Sequence, residues 1–262
     1  DRHWRFIYES LQGLQQQFSK ANAEVYIFHQ EAKVVFEALS EIYTIQTVFS
    51  HEETGNSITF DRDIAMQQFF TAHNIKWKEY QTNGVIRRLK TRAKWDEKWN
   101  ERMTSVPLSI EVTKGNYVAL PSDFYQKNRG EALPTTITTR NTNFQQGGEY
   151  WAWRYMDSFI KERYVNYSKH ISKPNLSRKG CSRLSPYLTY GNISMRMVYQ
   201  YTMQHYKDAA NKRALANFIS RLHWHCHFIQ KFESECSMEF ENINSAFDVI
   251  QKPKNEVYIK AW

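Results

Sequence analysis

The chain has 262 residues, 41% of them hydrophobic and 15% aromatic, enough to bury one large core or two smaller ones, which excludes an intrinsically disordered protein. Its 35 Lys and Arg against 27 Asp and Glu leave a net charge of +8, a balance that suits a polyanionic partner without naming one. No apolar run approaches the ~18 residues of a membrane span, no secretory pattern opens the chain, and three cysteines, Cys181, Cys226 and Cys236, are too few for a disulfide framework, so the expected setting is a reducing cytoplasm with no membrane partner.

Residues 4–18 place Phe6, Ile7, Leu11, Leu14 and Phe18 on one helical face, which predicts an amphipathic helix covering a sheet. Short β-branched and aromatic runs at 25–28, 45–49 and 75–77 predict strands, and periodic stretches at 31–42 and 61–73 predict helices between them. Such alternation implies a parallel, Rossmann-like sheet with helical crossovers. Three short strands entered from a helix leave a sheet edge uncovered, and the chain starts at Asp1 without a methionine, so it is expected to be an internal piece of a longer protein. The polar loop 51–56 follows a strand, at the carboxyl edge where open α/β sheets bind ligands. Asn83-Gly84 predicts a turn, and 85–103 a basic helix whose Arg87, Arg88, Lys90, Arg92 and Lys94 form a solvated face or meet phosphates. Residues 105–143, with Pro107, Pro121, Pro134 and a Thr-rich run, predict a connector between a partial α/β domain over 1–104 and an all-α domain over 144–262.

After Gly147-Gly148, the spacing of Trp151, Tyr155, Phe159 and Ile160 predicts another helix, with Tyr164 and Tyr167 beyond it. The stretch 180–194 reads GCSRLSPYLTYGNIS. Ser185 suits an N-cap, Pro186 the first helical position and Gly191 a left-handed stop, which predicts a short helix over 186–190. An anion placed against it would meet backbone N–H groups, the hydroxyls of Ser182 and Ser185, and Arg183 or Lys179, although any S-P helix start shares part of this pattern. Over 209–233, Leu215, Phe218, Ile219, Leu222, Cys226 and Ile229 define the buried face of a long helix. Beside it, Arg221, Trp224, His225 and Phe228 mix cation, indole, imidazole and phenyl in a stripe unlike an ordinary solvated face. His223 and His227 share one face with Cys226 nearby, but no second ligand cluster accompanies them, so no metal site is expected.

The run S-R-L-S-P-Y-L-x-x-G-x-I-S resembles the flavin-binding signature of the photolyase and cryptochrome family. The likeness extends to Gly147-Gly148 before an aromatic helix, to 222–228 in place of the family's W-R-E-F helix, and to HWRFIYESLQGL near the N-terminus. It implies a partial α/β domain followed by the first half of an all-α FAD-binding domain. It also implies a monomeric deoxyribodipyrimidine-photolyase-like lyase, in which blue light drives electron transfer from FAD to ultraviolet-damaged pyrimidines in DNA. By this resemblance Ser182, Arg183, Leu184 and Ser185 wrap the FAD diphosphate, Tyr167 and Phe218 lie against the flavin, and Arg221, Trp224 and His225 face the DNA lesion. The loop 51–56 is either an ordinary polar loop before the next helix or the seat of a second, antenna chromophore. No catalytic residue falls within these 262 residues, because the group facing the flavin N5 belongs to the family's later half. The chain departs from the family at Arg221, where a lesion-contacting acid is usual, at His225, where an arginine is usual, and at Cys181, where threonine is common. Arg221 leaves open a cryptochrome-like blue-light photoreceptor without repair activity. A basic helical nucleic-acid binder without cofactor is the alternative from outside photobiology.

Overall fold

The computed structural model describes residues 1–108, 112, 115–250 and 253–262. Its first elements are α1 (Arg2–Ser19), α2 (Ala32–Ile42), β1 (Thr47–His51), α3 (Ser57–Ala72) and β2 (Lys76–Tyr80). The two strands pair in parallel, with Thr47 opposite Lys76 and His51 opposite Tyr80, as a helical crossover requires. The crossover helix α3 begins where the Asn56 side chain accepts the Thr59 N–H, satisfying one open donor of its first turn. It buries Met66, Phe69 and Phe70, which join Ile75 in a small core that Phe36, Val48 and Trp77 complete. The α/β-then-helical order expected from the sequence is therefore present.

Three local expectations are corrected. The run 25–28 forms no strand; the isolated bridge beside it joins His29 to Gly130. Tyr26 and Phe28 instead pack edge-on to Tyr125, at 5.2 and 5.5 Å, and the Tyr125 hydroxyl donates to the Ile27 carbonyl. Nor does α1 cover the sheet. Phe6 turns into the helical core against Tyr187, 5.0 Å between ring centres, Arg5 donates to the Thr136 and Thr139 carbonyls, and Leu14 stays exposed. The helix expected over 85–103 starts only at Trp95, as α4 (Trp95–Thr104). Ahead of it Arg88 and Lys94 take left-handed φ values of 59° and 61°, which break helical propagation. The buried Gln230 carboxamide grips this segment at both backbone atoms of Ile86, accepting from its N–H at 2.7 Å and donating to its carbonyl at 3.0 Å.

The chain continues through α5 (Ser122–Asn128), α6 (Thr135–Thr138), α7 (Glu149–Lys161), a 3-10 turn (Arg163–Asn166), α8 (Tyr167–His170), α9 (Pro174–Gly180), α10 (Ser185–Thr189), α11 (Met195–Tyr206), α12 (Lys212–Ser234) and α13 (Glu256–Ala261). Among the described residues of the stretch 105–143, two short helices, α5 and α6, are present. Phe159, Tyr187, Leu184, Met195, Val198, Leu215 and Cys226 are fully buried in one core, which also takes Phe6, Trp95, Trp99 and Met103. The predicted buried face of α12 holds for Leu215, Phe218, Leu222 and Cys226. Truncating Phe159 in such a core would cost about 3 to 5 kcal/mol. Gly147 is required by packing: a Cβ there would sit 2.1 Å from the Phe6 carbonyl oxygen. Its N–H is taken by the Glu9 carboxylate at 2.8 Å, so α1 is fastened across the start of α7.

Candidate functional site

The loop 181–184 joins α9 to α10. Gly180 ends α9 under His170, whose Nδ1 a Cβ would meet at 2.2 Å, so only glycine lets α8 and α9 close here. Ser185 lies inside α10 rather than capping it, and Leu184 holds the cap position without a side-chain bond. The reason is backbone conformation: Arg183 has φ of 64° and Leu184 is right-handed. A left-handed residue followed by a right-handed one turns successive N–H groups toward one point, a concavity suited to anions. The N–H groups of Ser182, Arg183 and Leu184 find no acceptor among the described residues. Their carbonyls, by contrast, are all engaged. The Arg163 guanidinium donates to the carbonyls of Cys181 and Ser182, the Gln145 amide to that of Arg183 at 2.9 Å, and the Leu188 N–H to that of Leu184. The Gln145 carbonyl in turn accepts from Nε and Nη2 of Arg183, at 3.1 and 2.8 Å.

In front of the loop lies a cleft of about 460 Å³ lined by Tyr167, Ser182, Arg183, Leu184 and Ser185, together with Gln145, Ile171, Ser177, Arg178 and Cys181. Among the described residues no carboxylate lines it, while two guanidinium-bearing side chains and three serines do. Burial pushes the Tyr167 phenol up to about 12, so it is a neutral hydroxyl donor near neutral pH. Burial also raises the Cys181 thiol, opposed by Arg163 and Arg183, which keeps it protonated rather than a reactive thiolate. Arg163 is itself lowered, by burial first and by the Arg183 charge among smaller influences. Positive charge is thus concentrated around an open set of N–H donors, which is the chemistry of a phosphate or diphosphate site. A second, larger groove of about 820 Å³ runs between α1 and the start of α7 and contains none of the residues singled out in the sequence as a site.

Five of the expected site residues therefore line one cleft. Phe218 does not; it is buried behind it, packed on Phe159 at 4.7 Å and Tyr167 at 5.7 Å. Arg221 is exposed one turn further along α12, close enough to Tyr167 for its charge to oppose the rise in the phenol. Trp224 is 45% exposed and Phe228 58%, with ring centres 5.3 Å apart, so they form an aromatic surface rather than core. His225 is half-buried; its Nδ1 meets no partner among the described residues, and burial lowers its pKa. Neither cleft includes Trp224, His225 or Phe228. His223 is committed to Asp96, at 2.8 Å from Nε2 to Oδ1, and His227 to Arg92.

No protein-family model matches the chain, and no curated protein matches it in sequence. Solved structures do match. A bacterial class III photolyase from Agrobacterium tumefaciens aligns over 100% of this chain with a TM-score of 0.77 at 18% identity. The chain has the photolyase/cryptochrome fold. A cryptochrome from Synechocystis sp. PCC6803 aligns over 99% of the chain, with a TM-score of 0.72 and 16% identity. An archaeal photolyase from Sulfolobus tokodaii, solved with two FAD molecules, aligns over 100%, with 0.65 and 18%. The chain spans 55 to 56% of the length of these structures.

Within the photolyase/cryptochrome fold as this chain builds it, the residues that sequence reasoning missed are Arg163 and Gln145. Arg163 stands in the run K-E-R, which reads as solvated charge, and nothing local marks it. Gln145 precedes Gly147-Gly148 by two residues, a proximity that gives a weak signal in retrospect. The polar groups of the loop 51–56 are tied to one another and to neighbouring elements: Glu53 accepts the N–H groups of Thr54 and Gly55 and pairs with Arg62 of α3, and the Glu52 N–H donates to the Tyr80 carbonyl. Among the described residues no helix is long and apolar enough to cross a membrane.

Proposed function

We propose that these residues belong to a flavoprotein that uses blue light to repair ultraviolet-damaged pyrimidines in DNA, a deoxyribodipyrimidine-photolyase-like lyase. One observation carries this reading: among the described residues, three successive N–H groups stand open in a cleft without carboxylates, with their carbonyls tied back, beside Arg183 and Ser182. That donor set fits the diphosphate of FAD. The chemistry such a bound flavin would supply is light-driven electron transfer to a pyrimidine pair. The chain's own part is to hold and to position. Ser182, Arg183 and Leu184 receive the diphosphate, Ser185 and Tyr167 offer neutral hydroxyls at its margin, and Phe218 stiffens Tyr167 from behind. Arg221, near enough to Tyr167 for its charge to act there, shares a stripe of α12 with Trp224 and His225 at i, i+3 and i+4. Trp224, held half open by Phe228, suits stacking on an extruded base, and Arg221 suits a phosphate or a base edge. The +8 net charge supports DNA as the partner.

The second reading is a cryptochrome-like photoreceptor without repair. It is favoured by Arg221, an exposed cation at the position where the resemblance would place a lesion-contacting acid. Illuminating the full-length protein with DNA carrying a defined cyclobutane dimer or (6-4) lesion, in single and double strands, separates the two. Light-dependent loss of the lesion supports repair; flavin-loaded protein that leaves every lesion intact supports the photoreceptor.

A further inference from the structure

We infer that Arg163 is the positioning residue of the anion site: it does not line the cleft, but its guanidinium sets which way the peptides of the loop 181–184 point. The inference rests on the diphosphate reading above. Arg163 opens the 3-10 turn after α7 and lies over the Phe159 ring, 5.7 Å from its centre. From there it donates to four groups on two elements: the Tyr155 carbonyl at 2.7 Å and the Ser158 hydroxyl at 3.0 Å on α7, and the Cys181 and Ser182 carbonyls on the loop. A planar fork of five donors can hold such a set at once, whereas a lysine ammonium has three donors at a single point.

The consequence is one of polarity. A peptide whose carbonyl faces Arg163 presents its N–H on the opposite side, which is the cleft side. Were the carbonyls of Cys181 or Ser182 released, either peptide could turn and place the negative end of its dipole where the anion sits. The loop cannot maintain this arrangement alone, because Arg183 holds a left-handed φ of 64° that a side-chain-bearing residue adopts only under outside restraint. Gln145 supplies one restraint, at the Arg183 peptide, and Arg163 supplies the other, at the two peptides before it. Arg163 also makes no ion pair among the described residues, so its charge is left for the anion in front of the loop.

The test compares wild type, Arg163→Gln and Arg163→Lys in the full-length protein, titrated with FAD, with riboflavin, which lacks the diphosphate, and with inorganic pyrophosphate. Circular dichroism is recorded on each. The inference predicts that Arg163→Gln weakens FAD and pyrophosphate by about tenfold or more, as loss of a charge-assisted bond implies, and leaves riboflavin affinity unchanged. Arg163→Lys should recover only part of the loss. Equal weakening of FAD and riboflavin would make Arg163 a general packing residue, and unchanged FAD affinity or full rescue by lysine would each overturn the role of the fork. If the glutamine variant does not fold, the lysine variant decides by the same comparison. Wild-type protein that binds neither FAD nor pyrophosphate would remove the diphosphate reading itself, an outcome visible without any variant.

Discussion

Arg183 shows how a single residue carries the site. Its left-handed backbone costs roughly 1 to 2 kcal/mol for a residue with a side chain, and the two-sided grip of Gln145 offsets that cost while aiming the guanidinium. Ser182 beside it lines the same cleft, and its hydroxyl is not used elsewhere among the described residues. We expect Ser182→Ala to weaken FAD retention by about 0.5 to 2 kcal/mol, the range for one lost hydrogen bond, and to leave DNA affinity of loaded protein unchanged. Flavin release on dilution measures the first and fluorescence anisotropy the second. Trp224 offers the converse. Because it is 45% exposed, Trp224→Ala opens no closed cavity, and the urea midpoint should move little. Lesion affinity should fall by about 1 to 3 kcal/mol if the indole stacks on a base, with flavin content unchanged. A large loss of stability would instead make Trp224 a packing residue.

At the scale of elements, legibility follows the range of the force that shapes each one. Helix α12 was readable because its buried positions recur at the helical period and it has 23 residues, so packing and propensity agree. The order of β1, α3 and β2 was readable on other grounds, from short β-branched and aromatic runs on either side of a longer helical stretch. The stretch 85–94 was not, since its basic residues favour a helix while the deciding partner, Gln230, lies 144 residues away in sequence from Ile86. Ser185 was misplaced by one step because the left-handed turn at Arg183 has no local marker, whereas Gly191, at φ of 69°, declared itself. The anion loop was therefore half legible: its residue types announced a phosphate, but Arg163 and Gln145, which arrange its peptides, act across 18 to 38 positions. The Gln230 clamp yields its own expectation. Gln230→Leu strands an N–H and a carbonyl of Ile86 that folding has partly removed from water, so stability should drop by about 2 kcal/mol or more. The urea midpoint should fall with an unchanged slope.

For the whole molecule, the histidines of α12 set an acid limit. His225 is lowered by burial, and His227 by burial first and then by Arg92. A histidine depressed on folding binds its proton first in the unfolded chain, so the stability it contributes is present above the unfolded value of about 6.5 and is lost as pH falls through it toward the folded value. Urea midpoints should therefore decline from pH 7 to pH 5, and less steeply in His225→Gln. If DNA is the partner, as proposed, the net charge of +8 predicts that DNA affinity falls linearly on a log scale with added salt. Salt-insensitive binding would remove the backbone contribution.

Every role proposed for the loop 181–184 depends on its cleft holding a flavin diphosphate. Purified full-length protein, reconstituted with FAD and examined by absorption before and after denaturation, tests this most directly. The predicted result is flavin bands at one equivalent per chain and release of FAD on unfolding; protein that folds, remains free of flavin, and takes up no FAD at saturating concentration would contradict it.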